Sequence, residues 1–264
     1  MSLNGKVALV TGGGSGIGKA TAKLLAREGV RVGVLGRGRE KLDRVVAEIE
    51  VEGGAALALP SDIAKPEKIE ASIDELASRW GRLDIVFANA GINGVWAPVD
   101  QLKPDEWRQT VDVNLNGTFL TLHYAVPYLK RQQGGAIVIT SSINGTRRFT
   151  GPGATAYACT KAAQLAMGQM LALELAKHEI RVNVICPGAI VSQIEEDMER
   201  RGEEEAREPV EYPAGEIPLT PETEDEAPDA DEVAKLVRFL VSDESRHITG
   251  TPVWIDGGES LLQG

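Results

Sequence analysis

The sequence predicts an α/β fold: a doubly wound parallel sheet of about seven strands with helices on both faces, three layers in a single domain. Three observations predict it. Short apolar runs of strand length alternate with longer stretches of helical spacing from the first residues onward. Those short runs are near-continuous apolar stretches, as strands buried on both faces are. No internal repeat or linker divides the 264 residues, a length that suits one large domain.

Taken in order, strands are expected over residues 6–11, 30–35, 55–60, 83–88, 136–141, 180–186 and 251–256. Helices are expected over 17–28, 40–52, 66–80, 104–131, 154–178 and 230–242. One stretch breaks the alternation. Residues 190–229 are acidic, hold Pro209, Pro213, Pro218, Pro221 and Pro228, and show little apolar periodicity. A long irregular segment in a compact domain is usually a functional loop or a disordered one. It is read here as a loop over the substrate, with a solvated insertion as the other reading.

The net charge of −11 belongs mostly to that segment. Between Gln193 and Glu232 stand 17 Asp/Glu against three Arg, which leaves the remainder of the chain at +3. No basic stripe points to nucleic acid as a partner. No apolar run approaches the roughly 20 residues of a membrane span. Only Cys159 and Cys186 are present, and the first residues run straight into a strand, so a cytoplasmic protein is expected. His123 has no companion His, Cys or carboxylate at ligand spacing, so no metal site is expected. Cys159 is expected to serve packing, and Trp96 either lines a pocket or packs.

Thr11-Gly12-Gly13-Gly14-Ser15-Gly16-Ile17-Gly18 lies between the first strand and the first helix. Glycines there allow positive φ and close approach of backbone. The helix beginning near Ile17 offers free amides and a positive dipole end to an anion. A pyrophosphate at the crevice of such a sheet makes the arrangement Rossmann-like.

Tyr157-Ala158-Cys159-Thr160-Lys161 opens a later helix. Residues four apart share a helix face, with Cβ atoms roughly 5–6 Å apart. A free tyrosine titrates near 10, too high for a base at neutral pH, and a nearby ammonium favours its phenolate. Thr140-Ser141-Ser142 closes the preceding strand, so a hydroxyl emerges at the carboxyl edge where such sheets bind ligands. There it can stabilise charge developing on a carbonyl oxygen. Asn114 falls inside a long predicted helix, where asparagine is a mediocre former, which suggests a polar task.

In order along the chain come the T-G-x-x-x-G-x-G turn, Asn89-Ala90-Gly91, Asn114, Ser142, Tyr157 with Lys161, Pro187-Gly188, and Ile248-Thr249-Gly250 with Asp256, Gly257 and Gly258. This order resembles the short-chain dehydrogenase/reductase family over nearly the whole chain. The resemblance implies an NAD(P)-dependent oxidoreductase with a tetrad of Asn114, Ser142, Tyr157 and Lys161. Tyr157 would exchange the proton and Ser142 would hold the substrate oxygen. Lys161 would lower the Tyr157 pKa and bind the nicotinamide ribose, and Asn114 would hold a water of a proton relay. Cofactor contacts are implied for Gly12, Ser15, Gly16, Ile17, Gly18, Asp62, Ile63, Asn89, Ala90, Gly91, Tyr157, Lys161, Pro187, Gly188 and Ile190. Ser192 stands where the family often has a threonine on the nicotinamide carboxamide. The interval from Ser142 to Tyr157 is about two residues longer than is common in the family, which leaves Ser141 as a weaker candidate for the serine role.

The second strand ends in Gly36-Arg37, without the acid that would accept from the ribose 2′-hydroxyl of NAD. Arg37 can pair with a 2′-phosphate, which favours NADP over NAD, or stack on adenine. The expected partner is a small carbonyl or alcohol substrate, and the family resemblance implies a homo-oligomer, tetramer or dimer. A non-catalytic scaffold or sensor of the same fold is the alternative. Such proteins commonly lose the tyrosine or the lysine, and this chain keeps both.

Overall fold

A computed structural model describes residues 3–149, 151–190, 198–207 and 229–263. Most of the expected 190–229 segment, Ser192 included, lies outside the described residues.

The first strand, β1 (Val7–Thr11), is buried along its whole length. It leads through the glycine turn to α1 (Gly16–Arg27), then β2 (Arg31–Gly36), α2 (Arg39–Val51), β3 (Ala55–Pro60) and α3 (Pro66–Trp80). Pro66 stands in the first turn of α3 and left-handed Gly81 (φ 75°) ends it, the usual asymmetry of helix punctuation. After β4 (Ile85–Ala88) and the two-residue β5 (Val95–Trp96) comes α4 (Pro104–Val111). A π-helical turn, Asp112–Asn116, joins α4 to α5 (Gly117–Arg131). Then follow β6 (Gly135–Thr140), α6 (Thr155–Leu175), β7 (Ile180–Pro187), the two-residue β8 (Glu199–Arg200) and α7 (Glu203–Ala206). The chain closes with α8 (Ala230–Val241), β9 (Pro252–Ile255) and α9 (Glu259–Gln263).

Seven strands form one parallel sheet in the order β3-β2-β1-β4-β6-β7-β9. Successive side chains of a strand point to opposite faces, and each face has its own core. Val7 and Leu9 join Ile69, Ile73, Leu76, Leu122, Leu129 and Leu175 on one side. Ala8 and Val10 join Leu25, Leu42, Val45, Val233, Val237 and Leu240 on the other. The sheet therefore separates α3, α5 and α6 from α1, α2 and α8. The chain runs outward from β1 to β2 and β3, then restarts on the other side with β4. That reversal opens a crevice at the carboxyl ends of β1 and β4, where open α/β sheets bind ligands.

Three details depart from the sequence reading. The helix expected over 104–131 widens at Asp112–Asn116, because Asn114 turns inward to bond the backbone of Ile92. Such π turns recur at functional sites. Cys159 is exposed: two residues past Tyr157 it falls on the face of α6 turned from the sheet, so it does not pack among the described residues. β5 and β8 form a separate parallel pair that two-residue strands give no periodicity to reveal.

Candidate active site

The glycine turn, the end of β4 and the end of β6 are tied by one hydrogen-bonded chain. Thr11 Oγ1 accepts from the amides of Asn89 (2.9 Å) and Ala90 (3.0 Å). Asn89 Nδ2 donates to the Thr11 carbonyl (3.2 Å), and Thr140 Oγ1 donates to Asn89 Oδ1 (3.1 Å). Gly12 adopts φ 67°, a conformation natural to glycine. A Cβ at Gly18 would stand 2.2 Å from the Gly12 carbonyl oxygen, and one at Gly12 would stand 3.0 Å from Ala90 Cα. Only bare backbone fits at this approach. Ser15 makes no side-chain capping bond to α1, and the first turn holds no acid, so Gly16, Ile17 and Gly18 offer amides to an anion without a competing carboxylate.

The far end of this cradle lies at the ends of β2 and β3. Arg37 is exposed beside Gly36. The Ser61 amide donates to the Gly36 carbonyl (2.8 Å), while the Ser61 hydroxyl is buried without a partner. Asp62 accepts from the Ala64 amide (3.0 Å), and Ile63 is buried against Gly117. Sequence reasoning missed Ser61. Its place before Asp62 at a strand end was the available signal. A backbone cradle that a Cβ would fill, together with an orphaned hydroxyl at its ribose end, fits a dinucleotide.

The tetrad expected from sequence comes together at the carboxyl end of β6. Ser142 is buried, and its Oγ accepts from the Asn144 amide (3.1 Å), which leaves its own proton to donate. Ser141 is the other hydroxyl, and it donates instead to the Lys161 carbonyl (2.7 Å). Burial pushes the Tyr157 phenol above its ordinary value, and the hydrogen bond with Ser142 pulls it down. Lys161 Nζ lies 5.4 Å from the centre of the Tyr157 ring and donates to the Thr140 carbonyl (2.9 Å). Burial lowers the Lys161 ammonium from 10.5 to about 8, against a smaller opposing effect of Cys186. The same burial raises the Cys186 thiol to about 11. The phenol therefore lies above its ordinary value, not below it as expected from the sequence: burial outweighs the pull of Ser142, and Lys161 adds no lowering.

Asn114 is wholly buried. Its Oδ1 accepts from the Ile92 amide (2.8 Å), and its Nδ2 donates to the Ile92 carbonyl (2.9 Å) and to Thr160 Oγ1 (3.1 Å). The Asn114 carbonyl accepts from Thr118 Oγ1 (2.7 Å) and Gln164 Nε2 (2.8 Å). Gln164 is a second residue that the sequence did not single out. A Cβ at Gly91 would stand 3.1 Å from Asn114 Oδ1 and 3.6 Å from Lys161 Nζ, so both atoms border the space beside Gly91. The remaining wall is built by Pro187, whose carbonyl accepts from Ile143 (3.0 Å), and by Gly188, whose amide donates to Ile255 (3.1 Å). Ile190 packs half-buried against the core on the α1 and α8 side.

Two further side chains approach the tyrosine. The Trp96 ring centre lies 6.2 Å from that of Tyr157. The loop after Ser142 is fastened to the C-terminal segment, with the Arg147 guanidinium 3.6 Å over the Trp254 ring and Arg148 Nη1 2.6 Å from Glu259 Oε1.

A family model described as short chain dehydrogenase matches residues 6–203. A 3-oxoacyl-[acyl-carrier-protein] reductase of Thermotoga maritima is 36% identical, over 98% of this chain and 99% of that one. A cyclohexanol dehydrogenase of an Acinetobacter species is 37% identical, over 96% of this chain and 94% of that one. The solved 3-ketoacyl-ACP reductase of Sinorhizobium meliloti superposes with a TM-score of 0.90 at 56% identity, covering 97% of this chain and 99% of its own.

Proposed function

The chain belongs to the short-chain dehydrogenase family, and from that premise we propose that Tyr157 is the proton donor and acceptor of its reaction. The protein is an NAD(P)-dependent oxidoreductase acting on carbonyl and CH–OH groups of a small-molecule substrate. The bound nicotinamide supplies or receives the hydride. In reduction Tyr157 gives its phenolic proton to the substrate oxygen as the carbonyl carbon is reduced. Ser142, with Oγ fixed by the Asn144 amide, donates to the same oxygen and stabilises the charge growing on it. Lys161 replenishes the phenol and holds the nicotinamide ribose. Asn114 keeps the Ile92 backbone and the space beside Gly91 in register with Lys161, which supports a water there as the outward proton path. Oxidation reverses each step.

The observation that carries this reading is the convergence of Ser142, Tyr157 and Lys161, all buried, on the carboxyl edge of one sheet. Gly36 without an acid, exposed Arg37 and the orphaned Ser61 hydroxyl favour NADP over NAD. The remaining nucleotide contacts are assigned to the glycine turn, Asp62, Ile63, Asn89, Ala90, Gly91, Pro187, Gly188, Ile190 and Ser192. Exposed Phe119, Met170 and Leu173 on the outer faces of α5 and α6 support a homodimer or homotetramer in a single-domain protomer. No described helix is long and apolar enough to cross a membrane, and both cysteines are free, which supports a cytoplasmic location.

Two substrate readings stand. The solved reductase at 56% identity favours a 3-oxoacyl group. The cyclohexanol dehydrogenase favours a small secondary alcohol. Titration of the purified protein with NADPH and NADH, followed by nicotinamide fluorescence, tests the reading. Tighter binding of NADPH supports it, and binding of neither nucleotide overturns it.

A further inference from the structure

We infer that Trp96 sets the substrate class, selecting a ketone or secondary alcohol carried on a compact apolar ring. This inference rests on the reading of Tyr157 as proton donor. The indole is tilted 41° to the phenol with ring centres 6.2 Å apart. A substrate oxygen at hydrogen-bond distance from the phenol, roughly 2.7 Å, brings the carbon body into the roughly 4.5–7 Å range at which rings stack.

The indole is held from three sides, so it forms a fixed wall. Its Nε1 donates to the Asn93 carbonyl (3.2 Å), which leaves no free polar group on the ring. Its own carbonyl accepts from the Arg201 amide (2.9 Å), beside the two-residue pairing of Val95–Trp96 with Glu199–Arg200. Two strands this short are marginal alone, and the buried side of the ion pair between Arg201 and Glu106 supports them. The third side is the loop before α6. Ala97 donates to the Gly153 carbonyl (3.1 Å), and a Cβ on Gly151 would stand 3.4 Å from the indole. Gly153 adopts φ 73°, where a Cβ would stand 2.5 Å from the Ala97 amide, so only glycine lets the loop come this close.

The Arg200 guanidinium lies 5.2 Å from the indole centre, within cation–π range. A ring that stacks on such a wall is already rigid and loses little conformational freedom, whereas an open chain of equal size must be ordered. A fixed aromatic wall therefore discriminates in favour of the ring.

The test compares kcat/KM at saturating NADPH for cyclohexanone, an open-chain ketone of equal carbon number, and an acetoacetyl thioester. Wild type and Trp96→Leu are measured, with Trp96→Met, a longer and more adaptable side chain likewise without a flat ring, as a second variant should the first not fold. The wild type is expected to prefer the cyclic ketone. In either variant the ring-to-chain ratio is expected to fall about tenfold, mostly through KM, as loss of one aromatic contact implies. An unchanged ratio, or a wild-type preference for the thioester, overturns the inference. Failure of the wild type to reduce the cyclic ketone also overturns the inference, whereas a Tyr157→Phe variant that reduces it as fast as the wild type overturns the Tyr157 reading instead.

Discussion

The Lys161 ammonium donates to the backbone carbonyl of Thr140 across 2.9 Å, inside a site that excludes nearly all water from the lysine. Burial holds this group at about 8, down from 10.5. Between those two pH values the folded state binds fewer protons than the unfolded chain, so this group makes stability rise with pH through the window. Below it both states carry a charged lysine, and the net cost of burying that charge is complete, on the order of 3 kcal/mol. Lys161→Met is therefore expected to be inactive yet to melt above the wild type near pH 7, with the gap narrowing toward about pH 10. Calorimetry across that range checks it. A variant less stable than the wild type at neutral pH contradicts the penalty.

Ser142 is the neighbour that pulls the buried Tyr157 phenol down. Oxidation needs the phenolate, so its rate rises with pH through the Tyr157 pKa. In Ser142→Ala that rise is expected to move to higher pH, with kcat lower by about 10²-fold, the usual loss for one donor to a developing oxyanion. Measured pH–rate profiles for alcohol oxidation decide it.

Arg37 is exposed beside Gly36 at the end of β2. Arg37→Asp is expected to weaken NADPH binding by roughly 10–100-fold, the worth of charge-assisted hydrogen bonds to a phosphate. The new carboxylate is expected to strengthen NADH by offering an acceptor to the 2′-hydroxyl. Fluorescence titration of both nucleotides checks the exchange. An unaltered preference would place the arginine elsewhere, on the adenine face.

The layered fold was legible because the strands of the central sheet are mostly apolar runs, β1, β4 and β6 most plainly. The candidate tetrad could be proposed from sequence because Ser142 follows a strand end and Tyr157 and Lys161 stand at helical spacing on α6, whereas Asn114 offered only its poor fit to a helix. What escaped depends on contacts distant in sequence. Ser61 gains interest only because β3 lies beside β2 and Gly36. Gln164 matters through an atom fifty positions away, the Asn114 carbonyl. The π turn at Asp112–Asn116 reflects the pull of Ile92 on Asn114, which local propensity does not encode. The sequence assigns Cys159 to packing, yet among the described residues it is exposed on α6.

Arg148 and Glu259 meet at 2.6 Å with the carboxylate largely buried, fastening the loop after Ser142 to the C-terminal helix. Glu259→Gln and Arg148→Gln are each expected to raise KM more than they lower kcat. A double-mutant cycle should give a coupling of about 1 kcal/mol, as for a half-buried pair. Strict additivity would mean that the contact does not position the loop.

The central claim is that Tyr157 moves the proton while the glycine cradle holds the nucleotide. The most direct measurement is Tyr157→Phe, assayed for NADPH binding and for single-turnover reduction of a ketone that the wild type accepts. The account predicts NADPH affinity within a few-fold of wild type and a rate lower by at least about 10²–10⁴-fold, the range for loss of a general acid. Turnover near the wild-type rate in that variant would contradict it.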